Sequence, residues 1–512
     1  WSCNDGTEKN VWYHTDNAAY DGSNSDHTSI TSYLTPNPST DTEDIQALTI
    51  NDTTFLNNRS KIVGTTGTTD ARPDAHFAFI EILRTENGRQ YALNLHDPTS
   101  NATTTVTRAT RIKIDSDTLA EGSGTGHCPG IGTQVFSGAD TNTGSKTNLA
   151  FRITALGQQG KFTGSTDNDT AASDYSCSYN REIVLLHGGE GWAANDTTTV
   201  TLSQAQTNYN YTVKVTEAET VTISASIKAV RPAPTPFDSD TAVTVDTVLA
   251  GIMGAISGTG ITATQIGTGI YLSSSSAFNV EVLDNDLMRV MQGTVNDVTK
   301  LPVQCKHGYI VKVSNTRMSD EDDYYTRFYG PNNKDGSGVW IECPEPGIIK
   351  SLDATTMPHI IQRQADGDFL IKKYTYKDRT VGDDVTCPLP SFVGLSINKV
   401  LFFRNRLVIL SGENVITSRP GSISEPSFFN ASALTISATD PVDISCASEY
   451  PSDLFDAIEI NTGLLCFSTN AQFLLSADDT VFNPDTAKLR RVSSYNYNKV
   501  IPPIDLGMTK GF

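Results

Sequence analysis

Basic residues are in short supply in this 512-residue chain: 38 Lys and Arg stand against 58 Asp and Glu, a formal net charge of −20. A protein that grips nucleic acid needs a basic stripe to neutralise phosphates, and no such stripe is present. The acid is spread along the chain rather than gathered in a tail. Its plain reading is solubility; its sharper reading is a surface past which DNA slides without sticking. Cysteine is sparse too, with eight residues at positions 3, 128, 177, 305, 343, 387, 446 and 466 and no CxxC pair. That argues against a disulfide scaffold and a zinc site, and predicts mostly free thiols in a protein made in a reducing cytosol. Residues 247–280 contain no Asp, Glu, Lys, Arg or His. Gly, Thr, Ser and Gln interrupt them throughout, so no membrane span is predicted.

The usual catalytic signatures are missing as well. Without a GxSxG elbow there is no nucleophile turn, and His187-Gly188-Gly189 reads as a turn after the strand Ile183 to Leu186 rather than an oxyanion hole. Gly144-Ser145-Lys146-Thr147 has the wrong order for a P-loop, and in Gly122, Gly124 and Gly126 the third fingerprint Gly is replaced by Pro129. There is no HExxH, and the spacing of His127, Cys128 and Cys177 matches no standard metal set. Asp320-Glu321-Asp322-Asp323 lacks the alternating spacing of a calcium loop and reads as a solvated segment before a strand. Asp366 and Asp368 flank Gly367 between two strand-like runs, which favours a hairpin turn over a glycosidase pair. No catalytic, cofactor-binding or metal-ligating residue is assigned, and no cofactor is expected.

What is present is Thr, Ser, Asn, Asp and Gly, the currency of pleated strands and their turns. Charged residues at 19% and hydrophobic residues at 38% indicate a folded chain, and at roughly 100–200 residues per domain the length predicts two to four domains. Seven Asn-x-Ser/Thr sequons, at Asn51, Asn58, Asn101, Asn168, Asn195, Asn210 and Asn430, are of the number that chance supplies in so Asn- and Thr-rich a chain. The chain opens at Trp1 without an initiator Met, and both ends are expected to be trimmed.

The expected fold is mainly β and multidomain. Residues 1–180 read as a β-rich region with long loops, chiefly 1–50 and 116–148. Within it, Phe77 to Arg84 and Gln90 to Leu95 flank Asn87-Gly88, a hairpin signal. Residues 181–297 read as a small α+β domain. Tyr211 to Val215 and Val221 to Ala225 alternate as strands. Val245, Val248, Leu249, Ile252, Met253 and Ile256 share one face of a helix near 241–257, capped by Asp240 or Thr241 and ended by Gly258. A hairpin follows, Ile261 to Ile266 and Ile270 to Leu272 about Gly267-Thr268-Gly269. Residues 298–512 read as a propeller-like antiparallel β domain, expected to be completed by segments outside this chain. Its internal echo is apolar strand, polar turn, strand: Arg406 to Ser418 and, with Leu407 and Leu464 in equivalent places, Gly463 to Ser476. Such a repeat suits propeller blades, and a sandwich would also serve. Trp340, Tyr324, Tyr325, Phe402 and Phe403 are expected as core or interface anchors, with Tyr309, Val311, Val313, Val339 and Ile341 alternating at period two.

From residue 301 onward the ordered strings LPVQCKHGYIVKVSNT (301–316), DDYYTRFYG (322–330), GVWIECPEPGI (338–348), TMPHIIQRQADGDFLI (356–371), INKVLFFRNRLVILSGENVITSRPG (397–421) and ATDPVDI (438–444) resemble the tail tubular protein B, or tail nozzle, family of T7-like podoviruses. The resemblance extends more loosely to LLHGGEGW (185–192) and RPAPTPFD (231–238). It implies a non-enzymatic virion tail component, assembled in the host cytoplasm and longer at both ends than this chain. It further implies a homo-hexameric ring below an adaptor (tail tubular protein A), with tail fibres docked near their junction. The lumen would pass DNA and internal ejection proteins into the host, without sequence-specific binding. Lumen and gate residues are not readable from the sequence. Two other classes stay open at this stage: a tail-borne glycan or peptidoglycan hydrolase, and a receptor-binding adhesion module.

Overall fold

The computed structural model describes residues 9, 11–14, 28–35, 44–87, 89–99, 103–120, 132–138, 146–162, 175–203, 208–224, 226–230, 232, 235, 242–314, 323–421, 425–477, 481–499 and 501–504. These residues form a mainly β chain with ten sheets of two to five strands and two α-helices, and no sheet closes on itself. No helix among them is long and apolar enough to cross a membrane. The chain folds into two compact units: residues 1–71, 312–326 and 341–512 form one, residues 72–311 and 327–340 the other.

The first unit is a stack of sheets. A five-stranded sheet runs in the order Val11–His14, Phe369–Lys373, His359–Arg363, Thr53–Asn58 and Ile45–Ile50, its first pair parallel and the rest antiparallel. Next comes a meander of Lys399–Phe403, Arg406–Ser411, Asn414–Thr417 and Asp443–Ser445, and then a second of Leu454–Ile460, Gly463–Ser468, Gln472–Ala477 and Ala487–Ser493. The first meander is buried on both faces. Val400, Leu407, Ile409 and Ile416 join Phe55, Ile360, Tyr374 and Tyr376 of the five-stranded sheet and the segment after it. The alternate residues Leu401, Phe403, Val408, Leu410 and Val415 meet Leu454, Leu464, Cys466, Phe473 and Leu475 of the second meander. Period two sends successive side chains to opposite cores, so Arg406–Ser411 is buried at every position and reads as an apolar run, Leu407 to Leu410, between its Arg and its Ser. The internal echo is real: both of its copies supply the second and third strands of a four-stranded meander. On its far face the five-stranded sheet carries the helix Thr28–Leu34, whose Ile30 and Leu34 pack on Leu56, Ile361 and Ile371.

The second unit holds the expected helix as Val245–Ile256, with Val248, Leu249, Ile252 and Ile256 turned inward. They meet Ala78, Ile80 and Ile82, Leu93 and Leu95, and Ile270 and Leu272 from two sheets. The helix starts later than the composition indicated. Thr244, not Asp240 or Thr241, accepts from the Thr247 N–H and closes a capping box. Past Ser257 the chain leaves through Gly258 at φ +83°, a conformation that costs a Gly little. The expected hairpin follows as Thr262–Ile266 and Gly269–Ser274.

Four local expectations are corrected. Asn87-Gly88 does not join a hairpin: His76–Ile82 pairs with Gly269–Ser274 and Met288–Met291, whereas Leu93–His96 lies in another sheet between Ser226–Val230 and Asn279–Val282. The buried Tyr91 bridges the connection instead, its hydroxyl donating to Arg84 O and accepting from the Glu86 N–H. A side chain thus takes over the bonds that a hairpin ladder would have made. Residues 116–148 are not all loop, since strands cover Thr103–Ala120, Gly132–Gly138 and the start of Thr147–Phe162. Tyr211 to Val215 and Val221 to Ser224 belong to one strand, Asn208–Ser224, laddered along Thr103–Ala120 with its register shifting about Glu217. His187-Gly188-Gly189 is not a turn after Leu186 either, because the strand Tyr175–Glu190 continues through it, with a register shift between Leu185 and His187. A Cβ on Gly188 would collide with the carbonyl oxygen of Ala109, so a close approach of two strands, not chain reversal, accounts for the Gly.

Candidate functional site

The described members of the acidic clusters flagged in the sequence are spent on structure. Asp323 is buried, accepts from the Ser314 hydroxyl at 3.2 Å and sits 2.9 Å from Lys312 Nζ; residues 320–322 lie outside the described set. Asp366 takes the Asp368 N–H at 2.9 Å, closing the turn between His359–Arg363 and Phe369–Lys373, as the hairpin reading expected. Asp368 accepts from Trp12 Nε1 at 3.2 Å. In the second unit an open groove of about 690 Å³ is floored by Val282, Met288 and Val295, with Arg289 and Lys300 on its rim. Glu281 is the one carboxylate lining it, and the Asn94 amide and His96 already lie 3.3 and 3.6 Å from that group. Glycoside hydrolysis needs two carboxyl groups facing one bond, and this groove offers one.

Metal and nucleophile candidates fare no better among the described residues. No cluster of three His, Cys, Asp or Glu side chains could hold a metal there. His127, Cys128 and the side chain of Cys177 lie outside the described set, as do Gly122, Gly124, Gly126, Gly144 and Ser145. Lys146 pairs with Asp196 at 2.8 Å and lies 5.7 Å over the Trp192 ring, a packed role rather than a phosphate-binding one. Cys305, Cys343, Cys387, Cys446 and Cys466 are free and buried. Burial pushes the Cys305, Cys387 and Cys466 thiols up, and Cys446 up to about 12. Little reactive thiolate forms under such conditions. Alkylation at neutral pH should therefore leave these five unlabelled in the native protein and label them all in denaturant, as mass spectrometry of tryptic peptides would show.

The aromatic strings anchor cores, as expected. Tyr309 is fully buried and donates to Met291 O at 2.7 Å. It meets Phe77 and Tyr271 edge-on, and also Trp340, whose Nε1 donates to Pro302 O. Tyr324, Tyr325 and Phe403 are buried and Phe402 half-buried. Val339 and Ile341 alternate with Trp340, but on the exposed face. The Asn58 sequon is buried, with its amide donating to Tyr33 O at 2.6 Å, so a folded chain cannot present that site to a glycosylating enzyme.

Two arrangements escaped sequence reading. The first is His359, which is 0% exposed and stacks on Tyr33 with ring centroids 4.1 Å apart and planes 1° from parallel. Its Nδ1 donates to Met357 O at 2.9 Å, and its Nε2 finds no partner among the described residues. Burial holds its pKa down to about 4. The second is a loop from Asn430 to Asp440 clamped at both ends. Asp440, 2% exposed, accepts from the Ala431 and Ser437 N–H groups at 2.9 and 2.7 Å. Glu342 accepts from Ser432 Oγ and the Ala433 N–H, and the Asn430 amide donates to Thr386 O. Beneath the loop the buried guanidinium of Arg406 donates to Asp440 O at 2.7 Å, Ser418 O and Ala438 O at 3.0 Å each, and Phe482 O at 3.4 Å. A sequence signal for this clamp existed in Arg406, a charge at the mouth of an apolar strand, but its partners lie 12 to 76 residues away.

The family model described as bacteriophage nozzle protein matches residues 163–512. The tail tubular protein gp12 of Escherichia phage T7 is 35% identical over 209 residues, which cover 41% of this chain and 25% of that protein. The matched part thus spans about a quarter of the length of that relative.

Proposed function

This chain belongs to the bacteriophage nozzle protein family, and from that membership we propose that six copies form the ring through which phage DNA and internal proteins pass into the host. The chain is a structural protein of a phage tail and not an enzyme. The family match over residues 163–512 carries the reading. Under it, the ring meets an adaptor protein and tail fibres, assembles in the host cytoplasm and acts in the virion tail.

The geometry supports a conduit in two ways. The two four-stranded meanders stack face to face in chain order. The neighbouring five-stranded sheet is assembled from strands before residue 59 together with strands after residue 358. Stacked meanders with one sheet knitted from distant segments would suit a propeller-like arrangement, which we propose as part of this reading. The second support is charge. Copies of −20 each would face a passing duplex with like charge wherever the acid lines the lumen, which lowers adhesion to phosphates.

Electron microscopy of the purified protein, alone and mixed with its adaptor, tests the proposal. Six-fold rings with a central channel are expected. Particles that stay monomeric with the adaptor, or that form trimers, would overturn it.

A further inference from the structure

We propose that the clamped loop Asn430–Asp440 is a preformed docking element that seats against a second copy of this chain. The inference rests on the ring reading above and goes beyond it by naming the contact. Leu434 and Ile436 at the tip are 45% and 68% exposed. Exposed apolar residues grouped together, rather than scattered singly, mark contact surfaces. The support is fixed at both flanks: the Glu342 carboxylate and the Thr386 carbonyl hold the rising side, Arg406 holds the falling side, and the loop's own Asp440 ties the Ala431 and Ser437 N–H groups together across its base. Holding a loop in its bound shape before binding removes the ordering cost of association.

Charge selects the occupant. Residues 426–439 contain no Asp, Glu, Lys, Arg or His. The two carboxylates beside the loop, Glu342 and Asp440, face inward and are taken up by its own N–H and hydroxyl groups. The tip is thus an uncharged apolar patch on a chain of net charge −20. Two such chains repel wherever their acidic surfaces meet, so copies approach best through neutral surface. A basic partner or a nucleic acid would gain nothing from this loop. In a closed ring each copy offers one patch and receives another, so a single protruding element of this kind suffices per interface.

The test uses the full chain, with the photo-crosslinking residue benzoylphenylalanine at position 436 and a mixture of heavy- and light-isotope protein. Adducts that join a heavy peptide to a light one are expected. In parallel, Ile436→Asp should raise the midpoint concentration for assembly about tenfold or more, and Ile436→Val should not. Circular dichroism and melting temperature check that the exposed substitution leaves the fold intact. Rings of unchanged stability in Ile436→Asp would overturn the docking role while leaving the ring reading in place. So would adducts confined to one chain or to an added adaptor. Wild-type protein that never assembles would sink the ring reading and this inference together, an outcome distinct from either.

Discussion

Replacing Arg406 with Met is expected to destabilise the unit that contains it by about 3–5 kcal/mol. The guanidinium is buried and donates to four backbone carbonyls, those of Ser418, Ala438, Asp440 and Phe482, and lies 5.7 Å over the Phe482 ring. Met fills much of the volume but donates nothing, so several carbonyls are left in a space water cannot reach. Burial pulls the arginine pKa down to about 10, which still leaves it charged at neutral pH. Arg406→Lys should not rescue the loss, because one ammonium cannot reach carbonyls arrayed around a planar fork. The drop corresponds to roughly 10 °C in melting temperature for a unit of this size. Thermal or urea unfolding checks it, and a loss below about 1 kcal/mol would mean that water or other donors replace the guanidinium. Because Arg406 also holds Ala438 and Asp440, the same substitution should loosen the Asn430–Asp440 loop and weaken assembly below the unfolding temperature.

Acid should destabilise the first unit through His359. Its folded pKa, about 4, lies below its ordinary 6.5, so the unfolded chain binds the proton more readily than the folded one. The stabilising contribution is therefore complete above pH 6.5 and is lost as pH falls toward 4. Its full size is about 3 kcal/mol. The cause is visible. Protonation would add an N–H at Nε2, where no acceptor waits among the described residues, in a ring 0% exposed and paired across the ladder with Lys373. The helix Thr28–Leu34 should loosen first, since Tyr33 stacks on that ring and bonds to Asn58. Other carboxylates also titrate in this range, so the reading is a difference. The pH slope of wild type minus that of His359→Phe, from denaturant midpoints between pH 4 and 7, isolates the His359 share. Equal slopes would remove the assignment, and hydrogen exchange on residues 28–34 would show whether the helix is the part released.

The sequence was most informative where structure is local. The helix Val245–Ile256, the hairpin after it and the paired strands around residues 407–417 and 464–475 were legible, because amphipathic period and turn chemistry lie within a few residues of one another. The same local signals misled where a distant strand intervened. Asn87-Gly88 has the chemistry of a tight turn, but strands from residues 226–291 claim both flanks. His187-Gly188-Gly189 looks like a reversal until Ala109 is placed against it.

By itself the amino-acid sequence determined that the chain is β-rich and acidic, lacks recognisable catalytic signatures, and carries the ordered strings of a nozzle family. Composition, period and motif order are properties of neighbouring residues and survive without coordinates. Only the tertiary structure decided which strands share a sheet and which carboxylates are spent as caps. It alone showed that His359 is sealed against Tyr33, and that Arg406 and Glu342 converge on a loop closed by its own Asp440 and uncharged at its tip. Those relations join groups tens to hundreds of residues apart, and such pairings are selected by burial and hydrogen-bond satisfaction across the whole fold rather than by any local preference.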